Sequence, residues 1–582
     1  MNENRINSFT MMHNRFFLYA SLAISCWSYS CSQGVTQSKT TENTTAATST
    51  QTATEVSKVW VADQGDGTYN NPIIHADYSD PDVCRVGDDY YMTSSSFNVA
   101  PGLQILHSKD MVNWNIIGYA LDYNTPIEHF AKPQHGNGVW APAIRHHNGE
   151  FYIYWGDPDY GIYMVKTKDP AGQWEEPVLV QAGKGLIDSC PLWDEDGNAY
   201  LVHAYAGSRA GIKSILVVNK MSPDGTKLLD DGVMVFDGHD EHPTVEGPKF
   251  YKHNGYYYIF APAGGVSTGW QLVLRSKNVF GPYEEKIVMD QGNTSINGPH
   301  QGAWVNTPSG EDWFFHFQDV EAYGRIVHLQ PMKWVNDWPV IGVDKDGDGK
   351  GEPVMSYKKP DVGKTYPVVT PQESDEFEGN GLGLQWQWHA NPKATWAFAT
   401  GSKGALRLFT DQLPEDYKNF WDVPNLLLQK FPAETFTATT KLKFSPNPKL
   451  QNERTGLIVM GEDYAHLSLV SKKDGIYLAF NTVDDAHKST PESEQLLDKL
   501  NGNEAYLRVE IDKGALCQFS YSENGNDFKK VGNAFTAVPG RWIGAKVGIF
   551  ATREDKINDA GYADYDWFRI TPNTSSTFQS KK

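Results

Sequence analysis

Three carboxylates stand at the heads of three copies of one recurring segment: Asp80 in SDPDVCRVGDDYYMTSS, Asp188 in IDSCPLWDEDGNAYLVHAY and Glu246 in VEGPKFYKHNGYYYIFAPAGG. Hydrolysis of a glycosidic bond needs one carboxylate to activate water and one protonated carboxyl to protonate the leaving oxygen. A third acid close by keeps the donor protonated through like-charge repulsion and can orient it. Taken singly, each residue has a plainer reading: Asp80 before Pro81 as a turn residue, Asp188 as a turn cap, Glu246-Gly247-Pro248 as an exposed bend. Recurrence at corresponding positions is what favours chemistry. The neighbouring Asp77, Asp82, Asp194 and Asp196 fall out of register with the three and are assigned to turns or to support.

Acids this far apart in sequence need a fold that gathers them. Two more copies, VWAPAIRHHNGEFYIYWG from Val139 and NGPHQGAWVNTPSGEDWFFHFQ from Asn297, bring the total to five, with heads recurring every 48 to 60 residues. Each copy runs from a polar head through an apolar strand and a turn to an aromatic strand. The turns Asn148-Gly149, Asn254-Gly255 and Asp194–Gly197 between alternating segments are hairpin signals. Helical periodicity is almost absent up to residue 340. Repeats of this period built from strands predict propeller blades, whose innermost strands start around one axis. The expectation is an all-β, five-bladed β-propeller over residues 66–360, with the heads converging at one mouth.

A second alternating series, including TFTATTKLKF, AHLSLVSK, EAYLRVEIDK and KVGIFATR, predicts a β-sandwich over 371–572. The polar tail 573–582 is expected to be disordered. Between the two units, VDKDGDGKGEP sets Asp344, Asp346 and Asp348 at alternate positions, as a calcium loop does. It lacks the glutamate at the twelfth position and the flanking helices of such loops, so it is taken as a solvated exit from the propeller.

A net charge of −20 over 582 residues argues against nucleic acid, whose binders carry basic stripes. The 18 Trp and 29 Tyr suit strand-rich cores and also stack on sugar rings; strands alone account for most of them. Residues 1–31 resemble an export signal: Arg5 and Arg15 lead into the apolar run Phe16–Ser25, which is too short to span a bilayer. Cys26 follows a lipobox-like Ala23-Ile24-Ser25 and Cys31 a poorer match, so lipid-anchored and unanchored exported forms, periplasmic or at the cell surface, both stay open. Residues 32–65, rich in Thr and Ser, are expected to be a solvated tether. Cys84, Cys190 and Cys517 match no zinc spacing; buried free thiols are expected, with a Cys84–Cys190 disulfide as the alternative.

The run SDPDVCRVGDDYYMTSSSF, LQILHSKDMVNW, WAPAIRHHNGEFYIYW, IDSCPLWDEDGNAYLVHAY and EGPKFYKHNGYYYIF resembles glycoside hydrolase family 43, in its β-xylosidase and α-L-arabinofuranosidase branch. The resemblance covers residues 69 to about 340, and the sandwich resembles that branch's C-terminal concanavalin-A-like module. It implies Asp80 as general base, Glu246 as general acid, Asp188 as the aspartate that orients the acid and modulates its pKa, and inversion at the anomeric carbon. It further implies Phe97 and Trp140 as aromatic walls around the terminal sugar, and Arg325 as a ligand of its hydroxyls. Trp270 is a candidate rim contact for the leaving sugar. His300 matches a histidine at the propeller centre that is associated in relatives with calcium and its water shell. A structural Ca2+ is therefore considered, while the chemistry itself requires no cofactor. Many relatives have DPS where this chain has Asp188-Ser189-Cys190-Pro191, which puts subsite detail in doubt.

The expected function is exo-hydrolysis that releases terminal α-L-arabinofuranose or β-D-xylose from plant polysaccharides or their oligomers, leaning towards arabinofuranose because the extra sandwich resembles that branch's, where it can close one side of the active-site mouth. The alternatives are an endo-arabinanase, which needs an open cleft, and an inactive carbohydrate-binding surface protein, which would have no use for all three acids.

Overall fold

The structure is a computed structural model and describes residues 55–573. The expected signal segment with Cys26 and Cys31, the tether up to residue 54 and the tail from 574 lie outside the described residues.

Five four-stranded antiparallel sheets follow one another along the chain. Blade I comprises Asp82–Val86, Asp89–Thr93, Gly102–Ser108 and Trp114–Leu121. Blade II comprises Trp140–His147, Glu150–Asp157, Gly161–Thr167 and Val178–Ala182. Blade III comprises Leu186–Trp193, Ala199–Tyr205, Ile215–Met221 and Val233–Asp237. Blade IV comprises Lys249–His253, Tyr256–Ala263, Trp270–Ser276 and Glu284–Met289. Blade V comprises His300–Asn306, Asp312–Asp319, Arg325–Val335 and Trp338–Ile341. The hairpin turns follow their sequence: Asn148, Gly149, Asn254 and Gly255 all have positive φ, as a tight two-residue turn demands.

Strand alternation gives each blade two apolar faces, and each pair of neighbours buries one layer between them. Leu103 and Ile105 meet Ile144 and Ile153 between blades I and II. Ile162 meets Leu201 between II and III, Val202 meets Ile259 between III and IV, and Phe260 meets Phe314 between IV and V. The ring closes where Val83 and Leu106 of blade I meet Phe315 and Leu329 of blade V, joined by Tyr69 and Ile74.

Closure uses backbone as well as side chains. Ile74 and Val327 exchange N–H···O bonds, and the Tyr78 N–H donates to the Arg325 carbonyl at 3.1 Å. The segment before blade I thus clasps the third strand of blade V. Next to it, Thr68–Asn70 pairs with Ser356–Lys358. The cysteines take no part: Cys84, Cys190 and Cys517 are buried free thiols.

The C-terminal unit is a sandwich of two eight-stranded sheets. Leu427–Lys430, Lys546–Arg553, Arg454–Met460 and Tyr464–Lys472 run through one sheet. Tyr562–Thr571, Phe436–Ser445, Glu504–Asp512 and Leu516–Ser522 run through the other. Alternate residues, among them Leu442, Leu467, Leu507, Phe519 and Ile549, form the core between them. The sandwich is joined to the propeller by a backbone bridge between Ala100 and Trp388 and by His135 stacked on Trp421 at 3.5 Å.

One boundary differs from expectation. The tether was expected to run to residue 65, yet its end is already folded. Ser57 donates its N–H to Thr370 Oγ1 at 2.8 Å and its hydroxyl to Glu373, and the Trp60 indole donates to the Pro72 carbonyl at 3.1 Å. A single tryptophan with a partnered N–H anchors residues that composition alone assigns to solvent.

Candidate active site

One residue per blade turns left-handed as the chain enters the innermost strand: Asp80 (φ 54°), Ala141 (36°), Asp188 (58°), Gly247 (59°) and Gln301 (38°). In the first four blades the regular ladder runs from two residues further on, at Asp82, Ala143, Cys190 and Lys249. Four of the five are not glycine, and each such L-residue costs about 1 kcal/mol or more in this conformation. Such strain persists where surrounding structure imposes it, commonly at functional sites.

This backbone register corrects the expectation that all three carboxylates are equivalent. Asp80 and Asp188 occupy corresponding places, but Gly247 holds that place in blade IV, so Glu246 lies one residue earlier, level with Ser79, Trp140, Ile187 and His300. Gly247-Pro248 makes the turn that Asp80-Pro81 makes in blade I. Glu246 therefore enters the shared space from a different backbone position than the two aspartates.

Asp80 is buried and well partnered. Its Oδ2 accepts from Ser79 Oγ at 2.8 Å and from Ser95 Oγ at 2.5 Å, and Arg325 Nη1 lies 3.3 Å from its Oδ1. The same guanidinium donates to Ser79 Oγ at 2.7 Å and packs over the Phe317 ring. Asp188 accepts the Gly247 N–H at 2.8 Å, so it holds the backbone directly beside Glu246. Burial, then the charge of Asp80, pushes Asp188 up to about 7. Burial, then Asp188 and Asp80, pushes Glu246 up to about 8. Glu246 is the acid open to the mouth, with 26% of its side chain exposed.

His300 is fully buried, with Nε2 3.7 Å from Glu246 Oε1. Neither ring nitrogen has a protein partner, and burial followed by the Arg325 charge pulls it down to about 3, so the imidazole is neutral. A calcium ion prefers six to eight oxygen ligands. A lone neutral imidazole beside one carboxyl does not fit direct coordination of calcium, while its two free nitrogens fit hydrogen bonds to water.

Phe97 is buried, its backbone bridged to Val139 and its position two residues beyond Ser95. Trp140, next to Val139, donates its indole N–H to the Gly136 carbonyl at 2.8 Å and lies beneath the Arg209 guanidinium. Phe97, Trp140, Arg325 and His300 are thus tied to the carboxylates by direct contacts or by immediate chain neighbours. Trp270 is tied instead to the rim: its indole N–H donates to His242 Nδ1 at 3.2 Å, and it faces a groove shared with Asp290, Asp348 and Glu352.

Sequence reasoning missed three kinds of residue. Ser79 and Ser95 lie in the SDP and SSS runs and could have been suspected as partners of Asp80. Asp77 was set aside as support, without a stated task. Trp542 carried no signal at all: it sits on a loop of the sandwich, has positive φ, and stands edge-on to Trp140 with ring centroids 6.5 Å apart. The neighbouring Arg541 approaches Gly136 closely enough that a Cβ added there would lie 2.5 Å from its side chain. The second unit therefore supplies part of the wall around the propeller's mouth. Chemically, the site pairs one carboxylate braced by hydroxyls and a guanidinium with one carboxyl kept protonated at neutral pH, the division of labour that acid–base hydrolysis needs.

Residues 69–339 match glycosyl hydrolases family 43, and residues 374–571 match the beta xylosidase C-terminal concanavalin A-like domain. A putative beta-xylosidase of Xylanibacter ruminicola is 41% identical over 85% of this chain and 88% of its own length. A non-reducing end alpha-L-arabinofuranosidase of Bacteroides ovatus is 29% identical over 86% of this chain and 94% of its own. Among solved structures, the family 43 protein BlXynB of Bacillus licheniformis superposes with a TM-score of 0.74 at 26% identity, covering 87% of this chain and 100% of that one.

Proposed function

The chain belongs to glycosyl hydrolase family 43 and is a glycosidase, and from that premise we propose that it removes a terminal pentose, β-D-xylose or α-L-arabinofuranose, from plant-derived oligosaccharides. β-D-Xylose is the first candidate, since the relative at 41% identity bears the β-xylosidase name. This reverses the lean towards arabinofuranose taken from sequence. The observation that carries the mechanism is the protonated Glu246 opening to the mouth, in the same electrostatic cluster as the braced Asp80.

Asp80 takes a proton from water as the water oxygen bonds to the anomeric carbon. The glycosidic C–O bond breaks, and Glu246 gives its proton to the leaving oxygen. One displacement inverts the anomeric centre. Asp188 keeps Glu246 protonated by its charge and sets its backbone through the Gly247 N–H. Phe97 and Trp140 enclose the sugar and Arg325 reaches its hydroxyls; Trp270 borders a longer leaving group. The Trp542 wall supports an exo-acting pocket over the open cleft of an endo-arabinanase. The free ring nitrogens of His300 would hold ordered water beside Glu246, and no step of the hydrolysis runs through calcium. Export, with or without a lipid on Cys26, is supported by the apolar run Phe16–Ser25.

Incubation with 4-nitrophenyl β-D-xylopyranoside and 4-nitrophenyl α-L-arabinofuranoside tests the reading. Release of 4-nitrophenol is expected, with α-xylose as the first-formed anomer from the β-xyloside by NMR. Release from neither compound, and no pentose from arabinoxylan or arabinan, would overturn it.

A further inference from the structure

Asp77 lies buried at the seam between propeller and sandwich, and its two carboxylate oxygens serve different units. Oδ1 accepts the backbone N–H of Arg325 at 2.9 Å. Oδ2 accepts the backbone N–H of Gly544 at 2.9 Å, 467 residues away in sequence. Arg325 is the residue whose guanidinium braces Asp80 and Ser79. Gly544 ends the short loop that carries Arg541 and Trp542 to the mouth. One carboxylate therefore fixes both the brace on the base and the sandwich's share of the wall.

The joint leaves no room for slack. Gly324 has φ 73°, and a Cβ there would lie 2.5 Å from the Asp77 carboxyl carbon. A Cβ on Gly544 would lie 2.7 Å from the Gly324 nitrogen, so the two loops meet backbone to backbone. The Ala545 N–H donates to the Ala322 carbonyl at 2.8 Å and closes the contact. The charged surroundings of Asp77 come from each side. Lys430, half-buried, and Lys546, buried, are paired in register on adjacent sandwich strands and feel its charge. Asp319 and Arg325 face it from blade V, and Tyr78 from its own segment. The Asp77 carboxylate thus lies beside these two lysines while accepting the N–H groups of Arg325 and Gly544.

We propose that Asp77 is a positioning residue for the hydrolysis, setting the Arg325 brace on Asp80 and the Trp542 wall together, so that propeller and sandwich operate as one active site. The inference rests on the roles given above to Asp80 and Glu246. It predicts coupling between the Arg325 brace and the Trp542 wall.

The test compares wild type with Asp77→Asn, whose amide can accept from one N–H but presents an NH2 to the other, on 4-nitrophenyl β-D-xylopyranoside across pH. A 10- to 100-fold fall in kcat/KM is expected, carried mainly by kcat as the brace on Asp80 loosens. Trp542→Ala is expected mainly to raise KM in the wild-type background and to add less than twofold in the Asp77→Asn background. A loss of thermal stability with kcat unchanged, or losses that multiply in full, would overturn the proposal. Should Asp77→Asn fail to fold, Asp77→Glu keeps both acceptor oxygens on a longer arm and reads the same coupling. Hydrogen exchange needs no turnover: faster exchange is expected at 320–326 and 540–546 together, and a change at only one of them overturns the inference. Absence of wild-type turnover would count against the functional reading, while the exchange result would still decide this one.

Discussion

At the residue scale, the acid Glu246 is costly to the fold that uses it. A glutamate in an unfolded chain ionises near 4.3, whereas burial and two aspartates push Glu246 up to about 8. Between those values the unfolded chain has released a proton that the folded chain still holds, so stability falls as pH rises. Glu246→Gln is therefore expected to lower kcat by about a hundred- to ten-thousand-fold while raising Tm, and to raise it more at pH 8 than at pH 5. Calorimetry of wild type and variant at the two values checks the sign. Wild-type kcat/KM should fall as pH rises through about 8. Asp188→Asn should bring that fall to lower pH, because the charge that lifts Glu246 is gone. The identities of the three acids were legible in sequence because carboxylates headed repeating segments. Their offset was not, because D-P and E-G-P look alike until the left-handed φ of Gly247 shows which residue makes the turn.

At the element scale, the clasp that closes the ring is packed with histidine. His75 on the clasping segment stands edge-on to Tyr323, and His316 and His328 stack at 5.2 Å on neighbouring strands of blade V. Burial pulls all three down, His316 to about 4. In the unfolded chain each takes a proton near pH 6.5. These groups contribute full stability above that value and lose it as pH falls towards 4. For His316 the loss at pH 5 is on the order of 2 kcal/mol. Tm is expected to drop between pH 7 and pH 5, and His316→Gln, which keeps a neutral partner for Gln330, to flatten the drop; an unchanged slope would sink the assignment. The blades themselves were legible from NG turns and alternation. The clasp was not, since no local pattern says that Ile74 pairs with Val327.

At the scale of the whole molecule, the sandwich was legible as a second unit, and the resemblance led to the expectation that it closes one side of the mouth, but the residues that do so were not legible. Trp542 and Gly544 carry no motif, and their partners Trp140 and Gly324 belong to blades hundreds of residues earlier. Trp60 likewise escaped notice because it sits in a stretch that composition assigns to solvent. A chain ended before residue 370 keeps all five blades and all three carboxylates, yet exposes the Ala100 edge and lacks the Trp542 wall. It is expected to show no measurable turnover of 4-nitrophenyl β-D-xylopyranoside; activity equal to that of the full chain would refute the shared-wall account.

The Asp77 joint also sets an order of events. Its bond to Gly544 closes a loop of 467 residues, longer than any blade or hairpin requires. Contacts so distant in sequence form late, after local strands have paired. A chain still emerging from the ribosome can carry every carboxylate of the site without a finished mouth. Catalysis thus waits until the loop at 541–544 has been made and docked, and recovery of turnover on refolding trails recovery of sheet.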